Sequence, residues 1–113
     1  MTTGSILVVD DEDNIRDLVV RYLNTQGYQT LAAASGEEAV PHLDRRDLDL
    51  IVTDFKMPGM NGLELARRSL TANPDRPVIL MTAYADVDNA RQSVTLGVYD
   101  FIIKPFDLKD FQS

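Results

Sequence analysis

The sequence predicts a doubly wound α/β domain built on a five-stranded parallel sheet, and three observations carry that prediction. Short apolar runs without alternation, at residues 6–9, 50–53, 78–81 and 101–103, read as strands buried on both faces, the signature of a parallel sheet. The segments between them have the 3.6-residue period of amphipathic helices. Strand and helix then alternate five times with connections of a few residues, which implies parallel strands joined by right-handed crossovers.

Each element has its own signal. After the first strand, Ile15, Leu18, Val19, Tyr22 and Leu23 form a core-facing stripe; Asp11 or Asp13 can cap this helix, and Gly27 can end it in a left-handed turn. Residues 28–34 form the second and weakest strand, because alanine has little β preference. Ser35 caps the next helix, through Glu37, Glu38, Ala39, Val40 and Leu43, with Ser35-x-x-Glu38 matching a capping box. Pro41 should kink or shorten that helix, since it removes a hydrogen bond and clashes with the preceding turn. Pro58-Gly59 and Asn61-Gly62 mark the loop after the third strand, and Asn61 can cap a helix through Leu63, Ala66 and Leu70 that Asn73-Pro74 ends. Val87, Ala90 and Val94 line a fourth helix closed by Gly97. Asp107 opens a last helix through Leu108 and Phe111, which stops after barely two turns. The expected strand order is 2-1-3-4-5, that of flavodoxin-like domains.

The chain of 113 residues is one domain, and its 44% hydrophobic and 26% charged content is that of an ordinary globular protein. Without cysteine there is no disulfide framework, thiol nucleophile or thiolate metal site. No apolar run approaches a membrane span, and residues 1–5 carry no signal-peptide segments, so the cytoplasm is the expected compartment. A net charge of −7 disfavours direct nucleic-acid binding by this domain.

Four of the strands stop at residues capable of chemistry: Asp10 and Asp11, Asp54, Thr82 and Lys104. In an open parallel sheet, ligands bind outside the carboxyl ends of the strands, and in this order Asp10, Asp11 and Asp54 flank the switch point between the first and third strands. Taken singly, the aspartates could be cap or turn residues, Thr82 a strand-end hydroxyl and Lys104 a solvated charge. His42, away from the strand ends, reads as surface. Jointly, hard oxygen ligands beside a lysine and a threonine fit Mg²⁺ and phosphate. A carboxylate there can attack phosphorus and become an aspartyl phosphate, with Lys104 and Thr82 stabilising the equatorial oxygens.

At these residues the chain resembles the receiver domain of bacterial two-component response regulators. The matching pieces are Val8-Val9-Asp10-Asp11-Glu12, Thr53-Asp54-x-x-Met57-Pro58-Gly59-Met60-x-Gly62, Met81-Thr82-Ala83 and Asp100-Phe101-Ile102-Ile103-Lys104-Pro105-Phe106, in family order and spacing over nearly the whole chain. The resemblance implies a signalling switch rather than an enzyme, with only slow self-phosphorylation and self-dephosphorylation. A sensor histidine kinase would phosphorylate Asp54. Asp10 and Asp11, with Asp54 and the Lys56 carbonyl, would hold Mg²⁺, for which Mn²⁺ could substitute, and Asp11 would be the direct ligand of the acidic pair. Thr82 and Lys104 would bind phosphoryl oxygens, Thr82 and Phe101 would form the switch, and Lys56 and Tyr84 would tune the lifetime. The Lys104–Pro105 bond would be cis. The fourth helix, fifth strand and last helix would meet partners or a second copy. The short last helix implies that the rest of that helix, or an output domain, lies beyond this chain. Residues 97–107 are similar to receivers attached to transcriptional activators of the ATPase-coupled class.

Other functions fit less well. A Mg²⁺-dependent phosphatase or phosphotransferase with an Asp nucleophile would usually place a second Asp two residues on, where this chain has Lys56. A flavin carrier would need a Ser/Thr/Gly-rich phosphate loop where Asp10-Asp11-Glu12 stands. A receiver degenerated into a constitutive interaction domain would not be expected to retain all five site residues.

Overall fold

The computed structural model describes residues 4–83 and 100–104, with 82, 83 and 100–104 given as backbone strand positions. Strand β1 (Ser5–Val9) leads to helix α1 (Asp13–Thr25), β2 (Gln29–Ala33), α2 (Gly36–Ala39) and a 3₁₀ turn (Val40–His42). Strand β3 (Leu50–Asp54), helix α3 (Gly62–Ala72), β4 (Val78–Ala83) and β5 (Asp100–Lys104) follow. The strands form one parallel sheet in the order β2-β1-β3-β4-β5, as the sequence predicts. The helix expected around Val87, Ala90 and Val94, and that opened by Asp107, lie outside the described residues.

Two cores sandwich the sheet, which explains why its strands lack alternation. Leu7, Val9, Ile51, Val78 and Leu80 pack on one side with Leu43, Leu65 and Ala66; Ile6, Val8, Val52 and Met81 pack on the other with Val19 and Leu23. Every strand residue from Ile6 to Val9 and from Ile51 to Asp54 is buried.

Three helix expectations need correction. The N-cap of α1 is Glu12, in extended conformation and without a side-chain cap bond, rather than Asp11 or Asp13. Asp10 takes the bond that a cap would make, its Oδ1 accepting the Glu12 amide at 2.9 Å in an Asx-type turn. Leu18 is 46% exposed, so the core face of α1 is carried by buried Val19 and Leu23, with Ile15, Val20 and Tyr22 packed against them half-buried. In α3 the buried positions are Gly62, Leu65, Ala66 and Ser69; Ala66 holds its expected place, while the expected Leu63 and Leu70 are only half-buried beside Leu65 and Ser69.

The remaining punctuation acts as expected. Gly27, with φ +93°, follows the end of α1. Asn61 caps α3 by accepting the Glu64 amide at 2.9 Å. Ser35 Oγ accepts the Glu38 amide at 3.1 Å, while Glu38 reaches back to the Ala34 amide, one residue beyond the usual capping-box partner. Pro41 shortens α2 to four α-helical residues, because it has no N–H to continue the ladder and the chain tightens into the 3₁₀ turn. His42, in that turn, is half-buried.

One buried cation lies outside the expected core. Arg76, 3% exposed, donates from Nε to the Leu48 carbonyl and from Nη2 to the Leu43 and Arg45 carbonyls, and Nη1 reaches Ser69 Oγ. It ties the segment between the 3₁₀ turn and β3 to helix α3. Burial pulls its guanidinium below the ordinary arginine range, and the charges of Asp44 and Asp49 oppose that shift.

Candidate functional site

Strand register sets which residues share the carboxyl edge of the sheet. Val9 pairs with Thr53, Asp54 with Met81, Thr82 with Ile103 and Ala83 with Lys104. Asp10, Asp54, Thr82 and Lys104 therefore stand at corresponding ends of four adjacent strands. The Asp10 amide extends the β1–β2 ladder to the Ala33 carbonyl at 3.2 Å, and the Phe55 amide extends the β3–β4 ladder to Met81 at 2.8 Å. The backbone beneath both aspartates is thus held by sheet bonds. The side chains of Thr82, Phe101 and Lys104, and the whole of Tyr84 and Pro105, lie outside the described residues.

The acidic residues converge. One carboxylate oxygen from each of Asp10, Asp11 and Asp54 lies within 4.8 Å of the others, with Asp10 and Asp54 buried and Asp11 exposed. Asp10 is oriented by its own turn bond to Glu12, and its carbonyl accepts from Arg16 Nη1 at 2.8 Å. Arg16 also pairs with Asp13, so a cation braces the first turn of α1. The donor set, oxygen only with one exposed carboxylate, fits a hard divalent cation that keeps part of its water.

The loop from Asp54 to α3 is anchored at both ends. Phe55 and Met57 are buried in the core, whereas Lys56 between them is exposed. The Gly62 amide donates to the Phe55 carbonyl at 2.8 Å and closes the loop. A Cβ on Gly62 would stand 2.1 Å from the Asp54 carbonyl oxygen, so only glycine lets α3 start this close to the site strand. Gly59 turns the loop with φ +75°. On the far side, Glu37 of α2 accepts the Met60 amide at 2.7 Å. That bond holds the Glu37 carboxyl below its ordinary range. Its contribution is therefore complete above the ordinary carboxylate pKa and fades as pH falls through the depressed one. The sequence treats Glu37 only as a helix residue, and no local pattern marks its reach across the fold.

The family model of the response regulator receiver domain matches residues 6–113. The chain belongs to that family. This receiver domain is 38% identical over 112 residues to sporulation initiation phosphotransferase F of Bacillus subtilis (strain 168), covering 99% of this chain and 90% of the relative. It is 36% identical over 110 residues to the DNA-binding transcriptional regulator NtrC of Klebsiella pneumoniae, covering 97% of this chain but only 24% of that regulator. Among solved structures, a response regulator receiver domain protein from Clostridium thermocellum superposes with a TM-score of 0.91 at 30% identity, over 96% of this chain and 87% of that one. Receiver domains are regulatory phosphoacceptors that interact with histidine kinases, so this one is a phosphorylation-dependent signalling switch. No helix among the described residues is long and apolar enough to cross a membrane.

Proposed function

We propose that Asp54 is the phosphoacceptor of this receiver domain and that Asp10, Asp11, Asp54 and the Lys56 carbonyl hold Mg²⁺ beside it. The carrying observation is the convergence of three carboxylates within 4.8 Å at the sheet edge where Thr82 and Lys104 end neighbouring strands. A carboxylate oxygen of Asp54 attacks phosphorus and forms a P–O bond as the donor's bond to phosphorus breaks. The leaving group is the kinase imidazole, which takes up a proton, or acetate when acetyl phosphate is the donor. When bound, Mg²⁺ neutralises charge on the transferring phosphoryl oxygens. Thr82 donates a hydrogen bond to one of those oxygens and Lys104 supplies positive charge to another. Chemistry of this kind is slow and self-limited; the product is a changed surface rather than a released compound.

Intact mass after incubation with acetyl phosphate tests the reading. One phosphoryl group is expected per chain with Mg²⁺ or Mn²⁺ present, and none after chelation. Equal uptake with and without the metal would sink the metal assignment.

Finer proposals concern the phosphorylated state. Thr82 and Phe101 transmit it to the face carrying β5, through which a second copy docks, and Lys56 and Tyr84 shield the phosphoryl group from water. Lys56→Ala and Tyr84→Ala are expected to lose phosphate faster than the parent in excess Mg²⁺, and the phosphorylated parent to gain mass by light scattering. Unchanged lifetimes would remove the shielding role, and an unchanged particle mass the docking role. The output is proposed to be transcription, supported by the NtrC match, in which the chain spans about a quarter of the regulator. Reading the coding sequence past residue 113 checks this: a continuous frame into a DNA-binding segment is expected, and an immediate stop would count against it.

A further inference from the structure

Glu37 has no part in the chemistry above and stands in the first turn of α2, just past the carboxyl end of β2, where it grips the loop that follows Asp54. Its Oε1 accepts the Met60 amide at 2.7 Å. Beside that bond the Met60 side chain lies against Gly36, where a Cβ would come within 2.9 Å of it. A Cβ on Gly59 would come within 2.7 Å of Glu37 Oε1, so the carboxylate fills the hollow of the turn. The other end of the loop is closed by the bond from Gly62 to Phe55, over the buried Phe55 and Met57. Lys56 lies between these two fastenings.

A backbone carbonyl has no rotamer of its own, and its direction is set by the φ and ψ angles of the loop that carries it. Whatever fixes the loop therefore aims the Lys56 carbonyl, which the proposed function makes a metal ligand. We infer that Glu37 is a positioning residue for the cation site, acting through the Met60 amide on the loop that presents the Lys56 carbonyl. The inference rests on that reading of the site. Reach is the active property: the carboxylate matters because its oxygen arrives at the Met60 N–H. The charge matters only in strengthening that bond.

Two isofunctional halves of the glutamate separate reach from charge. Glu37→Gln keeps the length and an acceptor oxygen but loses the charge, whereas Glu37→Asp keeps the charge and loses one methylene of reach. Titration calorimetry of each variant with Mg²⁺ at neutral pH is the measurement, with melting curves in parallel. Glu37→Ala and Glu37→Asp are expected to bind Mg²⁺ about tenfold more weakly, in the range found for residues that orient a ligand from behind it. Glu37→Gln is expected to stay close to the parent. A drop in melting temperature with unchanged Mg²⁺ affinity in Glu37→Ala and Glu37→Asp would make the residue merely structural and overturn the inference. Weak binding by Glu37→Gln with parental binding by Glu37→Asp would assign the effect to charge and overturn it too. Should Glu37→Ala fail to fold, the Gln and Asp pair still decides. Absence of Mg²⁺ binding in the parent would remove the reading of the site itself, and the inference with it.

Discussion

Asp54→Asn is expected to take up no phosphoryl group from acetyl phosphate, while remaining folded and melting higher than the parent in metal-free buffer. The amide is nearly isosteric with the carboxylate but is a far weaker nucleophile, so uptake disappears rather than slows. Stability moves the other way because the parent holds three carboxylate oxygens within 4.8 Å. Two like charges about 4 Å apart repel by about 1 kcal/mol in water and by about 4 kcal/mol at the effective dielectric of a protein surface. Removing one of the three relieves part of that repulsion. The same relief makes added Mg²⁺ less stabilising in the variant than in the parent. Intact mass and melting curves with and without Mg²⁺ read all of this together. Undiminished uptake would sink the assignment of Asp54, and a lower metal-free melting temperature would sink the account of crowded charges.

Arg76→Ala is expected to cost on the order of 3 kcal/mol, through loss of charge-assisted hydrogen bonds and exposure of their partners to burial without a donor. Arg76 supplies three backbone carbonyls, those of Leu43, Arg45 and Leu48, from one planar group. Truncation removes that fork and opens a void beside Leu43 and Leu48, both buried. For a domain of this size the loss corresponds to a fall in melting temperature of about 10–20 °C. Arg76→Lys keeps the charge but replaces the fork with a point donor, and should recover only part of the loss. Well below the melting transition, phosphoryl uptake should be unchanged, because the guanidinium serves the opposite end of the sheet from the carboxylates. A melting temperature within a few degrees of the parent would show that the carbonyls find water instead.

The sheet was readable because its signal is strong and local. Runs such as Leu7, Val8 and Val9 are buried on both faces, and composition alone declares that. The carboxylates were readable for a related reason, since each stands at or just past a strand end and topology fixes where strand ends meet. Helix faces were less legible. Leu18 satisfies the helical period yet points to solvent, and Leu65, outside the expected stripe, is fully buried, whereas Leu63 packs on the core only in part and Leu70 is half-buried. Periodicity fixes a stripe only to within one residue, and the partner surface chooses its centre. Arg76 and Glu37 were not legible at all. Each acts on backbone groups distant in sequence, Arg76 across 28 to 33 residues and Glu37 across 23. Such bonds leave no periodic trace.

The strand order has a kinetic corollary. β1 and β3 are flanked on both edges by other strands and covered on both faces by core, whereas β2 is an edge strand with an exposed end. Amides in the middle of β1 and β3 should therefore exchange with solvent only when the whole domain opens, while those on the free side of β2 exchange through local fraying. Asp10 directly follows β1 and Asp54 ends β3, so both are fixed to interior strands. Two of the three carboxylates are thus anchored to strands that open only with the whole domain, so local breathing of the helices and loops leaves them in place, while exposed Asp11, on the connection to α1, moves with that connection.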